Sequence, residues 1–288
     1  LISDEVFHQF KNINNKLNIF SKYQSFRNEE IVNFSENNPA LHPQTRNLKK
    51  DSFYSNEANR LYDFIDKINS NYFSHLDSIT TVVQIGVGGS YLGPKANYES
   101  FCSYFKLQNL KQQRIGKFIS NLDPLEFKLT MSEISPKNTL FLIASKSGST
   151  LEIKTIFNLI KHWWTHEKGL AETDLKQHCV SLCSKGVEID SNEIADHRFY
   201  INTAIGGRFS STSVIGTCIL GLCFGIDSVN EFLNGAKSAD ANALSTDFEK
   251  NLALQAAWST IWYRNVKNYS AKAIIAYSFG LRDFPNHL

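Results

Sequence analysis

Between residues 81 and 201 five short apolar runs alternate with amphipathic stretches. The runs are Thr81–Ile85, Ile115–Ser120, Thr139–Ala144, His178–Cys183 and Arg198–Ile201. Helical patterns over Pro94–Tyr104, Pro124–Ile134 and Leu151–His166 separate the first four, and a shorter one around Val187–Ile194 precedes the fifth. Leu140-Phe141-Leu142-Ile143 has the length and composition of a strand buried on both faces. Strands that alternate with helices run parallel, because each crossover returns the chain to the same end of the sheet. The expected fold class is therefore α/β: a three-layer, doubly wound, five-stranded parallel sheet. In such sheets ligands collect beyond the carboxyl ends of the strands.

Around this unit the chain divides by composition. Residues 1–78 read as a polar, largely helical N-terminal segment, and 79–226 hold the sheet. Helical stretches follow at roughly 209–225, 228–244 and 250–267, the later ones linking over 227–270. Then Ala271-Lys272-Ala273-Ile274-Ile275-Ala276 gives a fresh strand signal with nothing beside it to pair with. The expectation is that 271–288 opens a second α/β domain, truncated here. The 288 residues suffice for one large α/β domain, or one and part of another. Thirty basic against 28 acidic residues, a formal charge of +2, give no electrostatic case for a nucleic-acid partner. No apolar run nears the ~20 residues of a membrane span, and Leu1-Ile2-Ser3-Asp4-Glu5 lacks a signal-peptide pattern. A cytoplasmic protein without nucleic-acid or membrane partner is expected.

The five cysteines, Cys102, Cys179, Cys183, Cys218 and Cys223, are odd in number and scattered over strands and helices. They read as packed free thiols rather than a disulfide framework. His162 and His166 have the i,i+4 spacing of a zinc pair. With Trp163 and Trp164 between them and no third ligand in sight, they read as helix surface, and no metal is expected.

Three loops at strand ends carry the chemistry. After the first strand comes Gly86-Val87-Gly88-Gly89-Ser90, but Tyr91 stands where a dinucleotide fingerprint requires glycine. Adjacent glycines still let a ligand lie close to the backbone with Ser90 as donor, and a plain strand-to-helix turn explains them equally well. After the third strand comes Ser145-Lys146-Ser147-Gly148-Ser149-Thr150. Helix capping by Ser149 or Thr150 is the bland account. Four hydroxyls and a lysine exceed that need and suit a phosphate at a helix amino end. Each hydrogen bond to such a charge is worth ~1.5–3 kcal/mol, so a handful supports micromolar binding after association costs. After the fifth strand comes Gly206-Gly207-Arg208-Phe209-Ser210. Arg208, always charged, can stabilise a developing oxyanion or simply bind an anionic group, and the loop alone does not choose.

In this order the loops resemble the phosphoglucose isomerase family. The resemblance runs through Ile85-Gly86-Val87-Gly88-Gly89-Ser90-Tyr91-Leu92-Gly93-Pro94, Ile143-Ala144-Ser145-Lys146-Ser147-Gly148-Ser149-Thr150 and Gly206-Gly207-Arg208-Phe209-Ser210. Leu41-His42, Ser120-Asn121-Leu122-Asp123 and Phe284-Pro285-Asn286-His287-Leu288 support it, from about residue 30 onward. The resemblance implies a sugar isomerase (SIS) domain of flavodoxin-like type, the first of two, and interconversion of glucose 6-phosphate and fructose 6-phosphate through a cis-enediolate. It implies no cofactor and a homodimer. Carried over, Ser145, Ser147, Thr150 and the Lys146 backbone would hold the phosphate, and Gly88, Gly89 and Ser90 would line the pocket. Gly207 and Arg208 would lie by C1 and C2, with Arg208 the catalytic cation. The family's glutamate base lies just past the stretch matching Phe284–Leu288, its ring-opening histidine and a lysine later still. This chain alone is therefore expected to be inactive, and His287 is not that histidine. The alternatives are a regulatory SIS module that binds sugar phosphate, which needs neither Gly207-Arg208 nor the later helices, and a related enzyme such as a transaldolase–isomerase fusion or an isomerase acting on mannose phosphate as well.

Overall fold

The computed structural model describes residues 2–76, 78–191 and 193–288. Helices α1 (Asp4–Lys16), α2 (Ile19–Arg27) and α3 (Phe53–Asn69) precede the sheet. The central unit runs β1 (Thr81–Gly86), α4 (Gly89–Leu107), β2 (Ile115–Ile119), α5 (Pro124–Ser132), β3 (Thr139–Ser145), α6 (Leu151–His162), α7 (Glu172–Leu175), β4 (Cys179–Cys183) and β5 (His197–Tyr200). Helices α8 (Val214–Phe224), α9 (Ile226–Ala243) and α10 (Leu252–Ile261) follow. The five strands are all parallel in the order β2-β1-β3-β4-β5. This is the flavodoxin-like order, so the α/β expectation holds. Its connections reverse between β1 and β3, the place beyond the strand ends where sheets of this order bind ligands.

Alternation along the strands builds two apolar layers. Val82, Leu140, Leu142, Val180, Leu182 and Phe199 face α3, α4 and α8. Val83, Ile85, Phe141, Ile143, Cys179 and Cys183 face α5, α6 and α7. Every residue of α8 is buried; by length and composition the stretch Gly207–Phe224 could cross a membrane, but here it is core, 83% buried. Each large aliphatic side chain enclosed this way contributes ~1.5–3 kcal/mol. Burial keeps the four core thiols protonated, Cys183 being pushed up to about 12, and all five cysteines are free.

Helix α3 does more than precede the sheet. Leu61, Phe64 and Ile65 sit in the same apolar layer as α8, and its polar side covers the β5 edge. Glu57 Oε2 accepts the Tyr200 amide at 2.8 Å, and Arg60 Nη2 donates to the Arg198 carbonyl at 3.0 Å. Edge groups that would otherwise invite another strand are thereby occupied.

Four expectations change. The helix expected from Pro94 begins at Gly89 and holds Pro94 inside it. Proline removes the amide that would bond the Ser90 carbonyl, and buried Gln84 replaces it: its Nε2 donates to Ser90 O at 2.8 Å and to Ile215 O at 3.2 Å. Of the helix expected around Val187–Ile194, residues 187–191 and 193–194 form bends and turns, and residue 192 lies outside the described residues. Gly186 adopts φ +79° and donates its amide to Asp190 Oδ2 at 2.8 Å, which closes a turn instead. The stretch expected as one helix over 209–225 is a 3-10 turn over Gly207–Thr212 and then α8, split where Ser213 Oγ accepts the Ile215 amide. The strand expected over 271–276 forms no ladder among the described residues and runs exposed, with Ile275 at 66%. A lone strand has no partner for its backbone groups except water.

Candidate active site

The loops after β1 and β3 flank the point where the strand order reverses. Ser145 ends β3, nearly fully buried, and its hydroxyl lies 3.3 Å from that of Thr150. Between them the chain turns tightly. The Gly148 amide donates to both the carbonyl and the hydroxyl of Ser145, each at 3.2 Å. Gly148 has φ +64°, and a Cβ there would press on Val187 Cγ2 at 2.7 Å. Only glycine closes this turn without strain. Ser147 and Ser149 are exposed, and Ser149 donates its hydroxyl to Ser147 Oγ at 3.1 Å.

Thr150 occupies the N-cap position of α6, yet its side chain makes no capping bond. The capping account of these hydroxyls therefore fails for Thr150. An uncapped amino end carries about half a positive charge, and its unbonded amides attract an anion. Lys146 is split in function. Its ammonium donates to the Thr203 carbonyl at 3.0 Å and its carbonyl accepts the Ser184 amide at 3.1 Å. Its side chain thus ties the β3 loop to the segment after β5.

After β1, Gly88 caps α4 at φ 56°, ψ −121°, a conformation reserved for glycine. Gly89 meets the third loop backbone to backbone: a Cβ there would lie 2.1 Å from the Gly207 carbonyl carbon and 2.5 Å from Arg208 N. Ser90 is buried at the first turn of α4. Gly89 is thus brought against Gly207 and Arg208, with Gly88 and Ser90 next to it in the chain, and Ser145, Lys146, Ser147 and Thr150 share the β3 turn.

Gly207 and Arg208 are exposed. Among the described residues Arg208 has no ion pair, and its guanidinium lies 5.6 Å from the Phe209 ring centre. The segment is held from the N-terminal side. The His42 ring stacks on Phe209 at 4.4 Å and 14°, and Leu41 N donates to Ala204 O at 3.3 Å. Thr45 Oγ1 meets Thr212 Oγ1 at 2.6 Å. Behind them Asp240 on α9 takes Arg46 bidentately, at 2.7 and 2.8 Å, and Arg27 at 3.1 Å. Burial pushes the Asp240 carboxyl up, but the Arg46 bond and charge, with Arg27, outweigh it and hold it below the usual range. Burial and then Arg46 lower His42 to about 4, which leaves its imidazole neutral at neutral pH. The sequence marked Leu41-His42 without giving it a role, and it did not mark Arg46, Asp240 or Gln84. Arg46 and Asp240 lie 194 positions apart, and Gln84 joins nearby Ser90 to Ile215 across 131 positions, beyond any local pattern.

His162 and His166, the zinc-spaced pair, stack on each other at 4.5 Å away from these loops. No cluster of three or more metal-ligating side chains occurs among the described residues.

The profile of the family described as phosphoglucose isomerase matches residues 1–288. The chain belongs to the phosphoglucose isomerase family. It is 37% identical over 296 residues to the glucose-6-phosphate isomerase of Borreliella afzelii (strain PKo), covering 97% of this chain and 54% of the relative. To that of Desulfotalea psychrophila (strain LSv54 / DSM 12343) it is 34% identical, covering 100% of this chain and 55% of the relative. Among solved structures, a glucose-6-phosphate isomerase from Chlamydia trachomatis D/UW-3/Cx superimposes with a TM-score of 0.87 at 32% identity, over 99% of this chain and 55% of that one. The chain spans about half the length of the curated relatives it matches.

Proposed function

We propose that this chain carries the phosphate-holding and charge-stabilising side of a site that interconverts glucose 6-phosphate and fructose 6-phosphate. The observation that carries the reading is the uncapped amino end of α6, ringed by the Ser145, Ser147 and Thr150 hydroxyls at the reversal point of the sheet. A phosphate dianion there takes hydroxyl and amide donors at once. The sugar then extends toward Gly88–Ser90 and Gly207-Arg208, which the Gly89–Gly207 contact places against each other.

The reaction removes the C2 proton of the open-chain aldose and returns one to C1, while the C2 hydroxyl proton passes to O1, so that C2 becomes the carbonyl and C1 a hydroxymethyl. Between these steps the enediolate oxygens carry the negative charge. Arg208, fixed in charge and free of competing ion pairs among the described residues, stabilises that charge without reorganising. The resemblance puts the family's glutamate base past the stretch matching Phe284–Leu288. This chain by itself is thus proposed to bind sugar phosphate with little turnover, since base catalysis supplies ~10²–10⁴-fold. The complete site is proposed to be a cytoplasmic homodimer using neither metal nor organic cofactor.

The test is calorimetric titration of the purified chain with fructose 6-phosphate, fructose and inorganic phosphate. Binding of both phosphates and not of fructose is expected, weakened severalfold or more in Ser147→Ala/Thr150→Ala. Unchanged affinity in that variant would overturn the phosphate assignment. With the family's downstream half joined to the chain, Arg208→Ala should lower kcat by ~10²–10³. A raised KM alone would instead make Arg208 a binding residue.

A further inference from the structure

We infer that His42 is a positioning residue for Arg208, holding the guanidinium at the reacting carbons by stacking on Phe209. The inference rests on the reading of Arg208 as the group that meets the enediolate charge.

Arg208 and its neighbours Gly207 and Phe209 are exposed, in a 3-10 turn entered through Gly206 and Gly207. A group that stabilises transition-state charge must already be aimed, since a displacement of about 1 Å can cost ~10²-fold. The contacts that aim it come through Phe209. Its ring packs on the guanidinium at 5.6 Å and on His42 at 4.4 Å, nearly parallel to the imidazole. Phe26 of α2 backs His42 at 5.3 Å. Leu41 and Thr45, on either side of His42, bond the chain just before and just after Arg208, at Ala204 and Thr212. The residues over 41–46 thus clasp the arginine loop at three points, and His42 is the middle one.

The chemistry of the ring matters as well. Arg46, Arg27 and Asp240 face His42 from the neighbouring elements, and Arg208 lies across Phe209. A charged imidazole would join three guanidinium groups against one carboxylate. A neutral one stacks without adding charge near the oxyanion site. A flat, uncharged ring is therefore what the position requires, and phenylalanine meets that requirement where alanine does not.

The experiment titrates this chain with two five-carbon sugar phosphates, arabinonate 5-phosphate and arabinitol 5-phosphate. They differ only at C1, where the first carries a carboxylate in place of a hydroxymethyl group. The wild type should prefer the charged ligand by about tenfold, the effect of one charged hydrogen bond. His42→Ala should erase that preference while leaving inorganic phosphate affinity unchanged, and His42→Phe should keep it. Phe209→Leu breaks the same stack from its exposed side, 46% accessible, and serves where His42→Ala does not fold. Full preference in His42→Ala or Phe209→Leu would overturn the inference, as would its loss in His42→Phe. No preference in the wild type, with Arg208→Ala unchanged, would instead sink the reading of Arg208 and this inference with it.

Discussion

The turn after β3 closes on itself. Gly148 bonds back to Ser145, Ser149 to Ser147, and Ser145 faces Thr150, all within six residues. The segment after β5 has local bonds of its own, from Ala204 and Ile205 to Asn202 and from Ser213 to Ser210, and is held from outside as well, by His42 on Phe209, Thr45 on Thr212 and the Gly89 backbone on Gly207. One loop is shaped chiefly by its own sequence, with Lys146 tying it to Thr203, and the other also by residues more than a hundred positions away. Anion binding needs only converging donors, which a short stretch can supply. Aiming a single cation at a reacting carbon needs a frame, and the frame is built from the N-terminal segment and α9.

Removing Asp240 should break that frame hardest. Asp240 is the one carboxylate between Arg27 and Arg46, and all three side chains are 85–90% covered. Asp240→Ala leaves two covered guanidinium groups unpaired, a change that costs ~3–5 kcal/mol. Denaturant midpoints would measure it, and the comparison predicts that inorganic phosphate still binds wherever the variant is folded. A loss below ~1 kcal/mol would mean that solvent screens the triad.

Acid should act on the same side of the molecule. His42 goes from an ordinary 6.5 to about 4 on folding. As pH falls through 6.5 the unfolded imidazole gains a proton that the folded one refuses until about 4, so stability is lost across that window. At 1.36 kcal/mol per unit the loss is about 3 kcal/mol. His178, His197 and His287 are also lowered by burial and add to the slope. His42→Phe should remove the share of His42 from a plot of unfolding free energy against pH. An unchanged slope would place the acid sensitivity with the other three.

These two regions also divide what could be read beforehand. The five strands, their parallel direction and the β3 loop follow from local patterns: apolar runs alternating with helical ones, turn residues and a cluster of hydroxyls. The start of α4 did not, because Pro94 argued for a later start and the compensating donor, Gln84, sits on β1 and makes the bond only once folded. Nothing in the sequence marked Asp240 or Arg46. Their pairing depends on α9 lying beside 41–46, a tertiary fact with no period or motif to announce it. The Val187–Ile194 stretch misled in the other direction, its apolar spacing serving turns that pack Val187 under Gly148.

Gly89→Ala would sharpen the comparison where the two loops touch. Its Cβ would fall 2.1 Å from the Gly207 carbonyl carbon, against backbone that no rotamer change can move aside. Overpacking of this kind costs ~1–3 kcal/mol. The loops should part, so that the preference for a carboxylate at C1 disappears while inorganic phosphate affinity stays. Loss of both together would show that the two loops form one unit and that the contrast drawn between them is wrong.

The smallest effect on stability is expected at Thr150, and it separates a cap from a ligand. A threonine that caps a helix loses ~1 kcal/mol on truncation to alanine. Thr150 stands at the N-cap of α6 without making that bond. Thr150→Ala removes only the 3.3 Å contact with Ser145 Oγ, which keeps the Gly148 amide as partner, so unfolding free energy should change by no more than ~0.5 kcal/mol. Its affinity for fructose 6-phosphate should nevertheless fall about tenfold, because one donor to a dianion is gone. The two measurements pull apart only if the hydroxyl waits for a ligand. A full cap's worth of lost stability with unchanged affinity would return the β3 loop to an ordinary helix start.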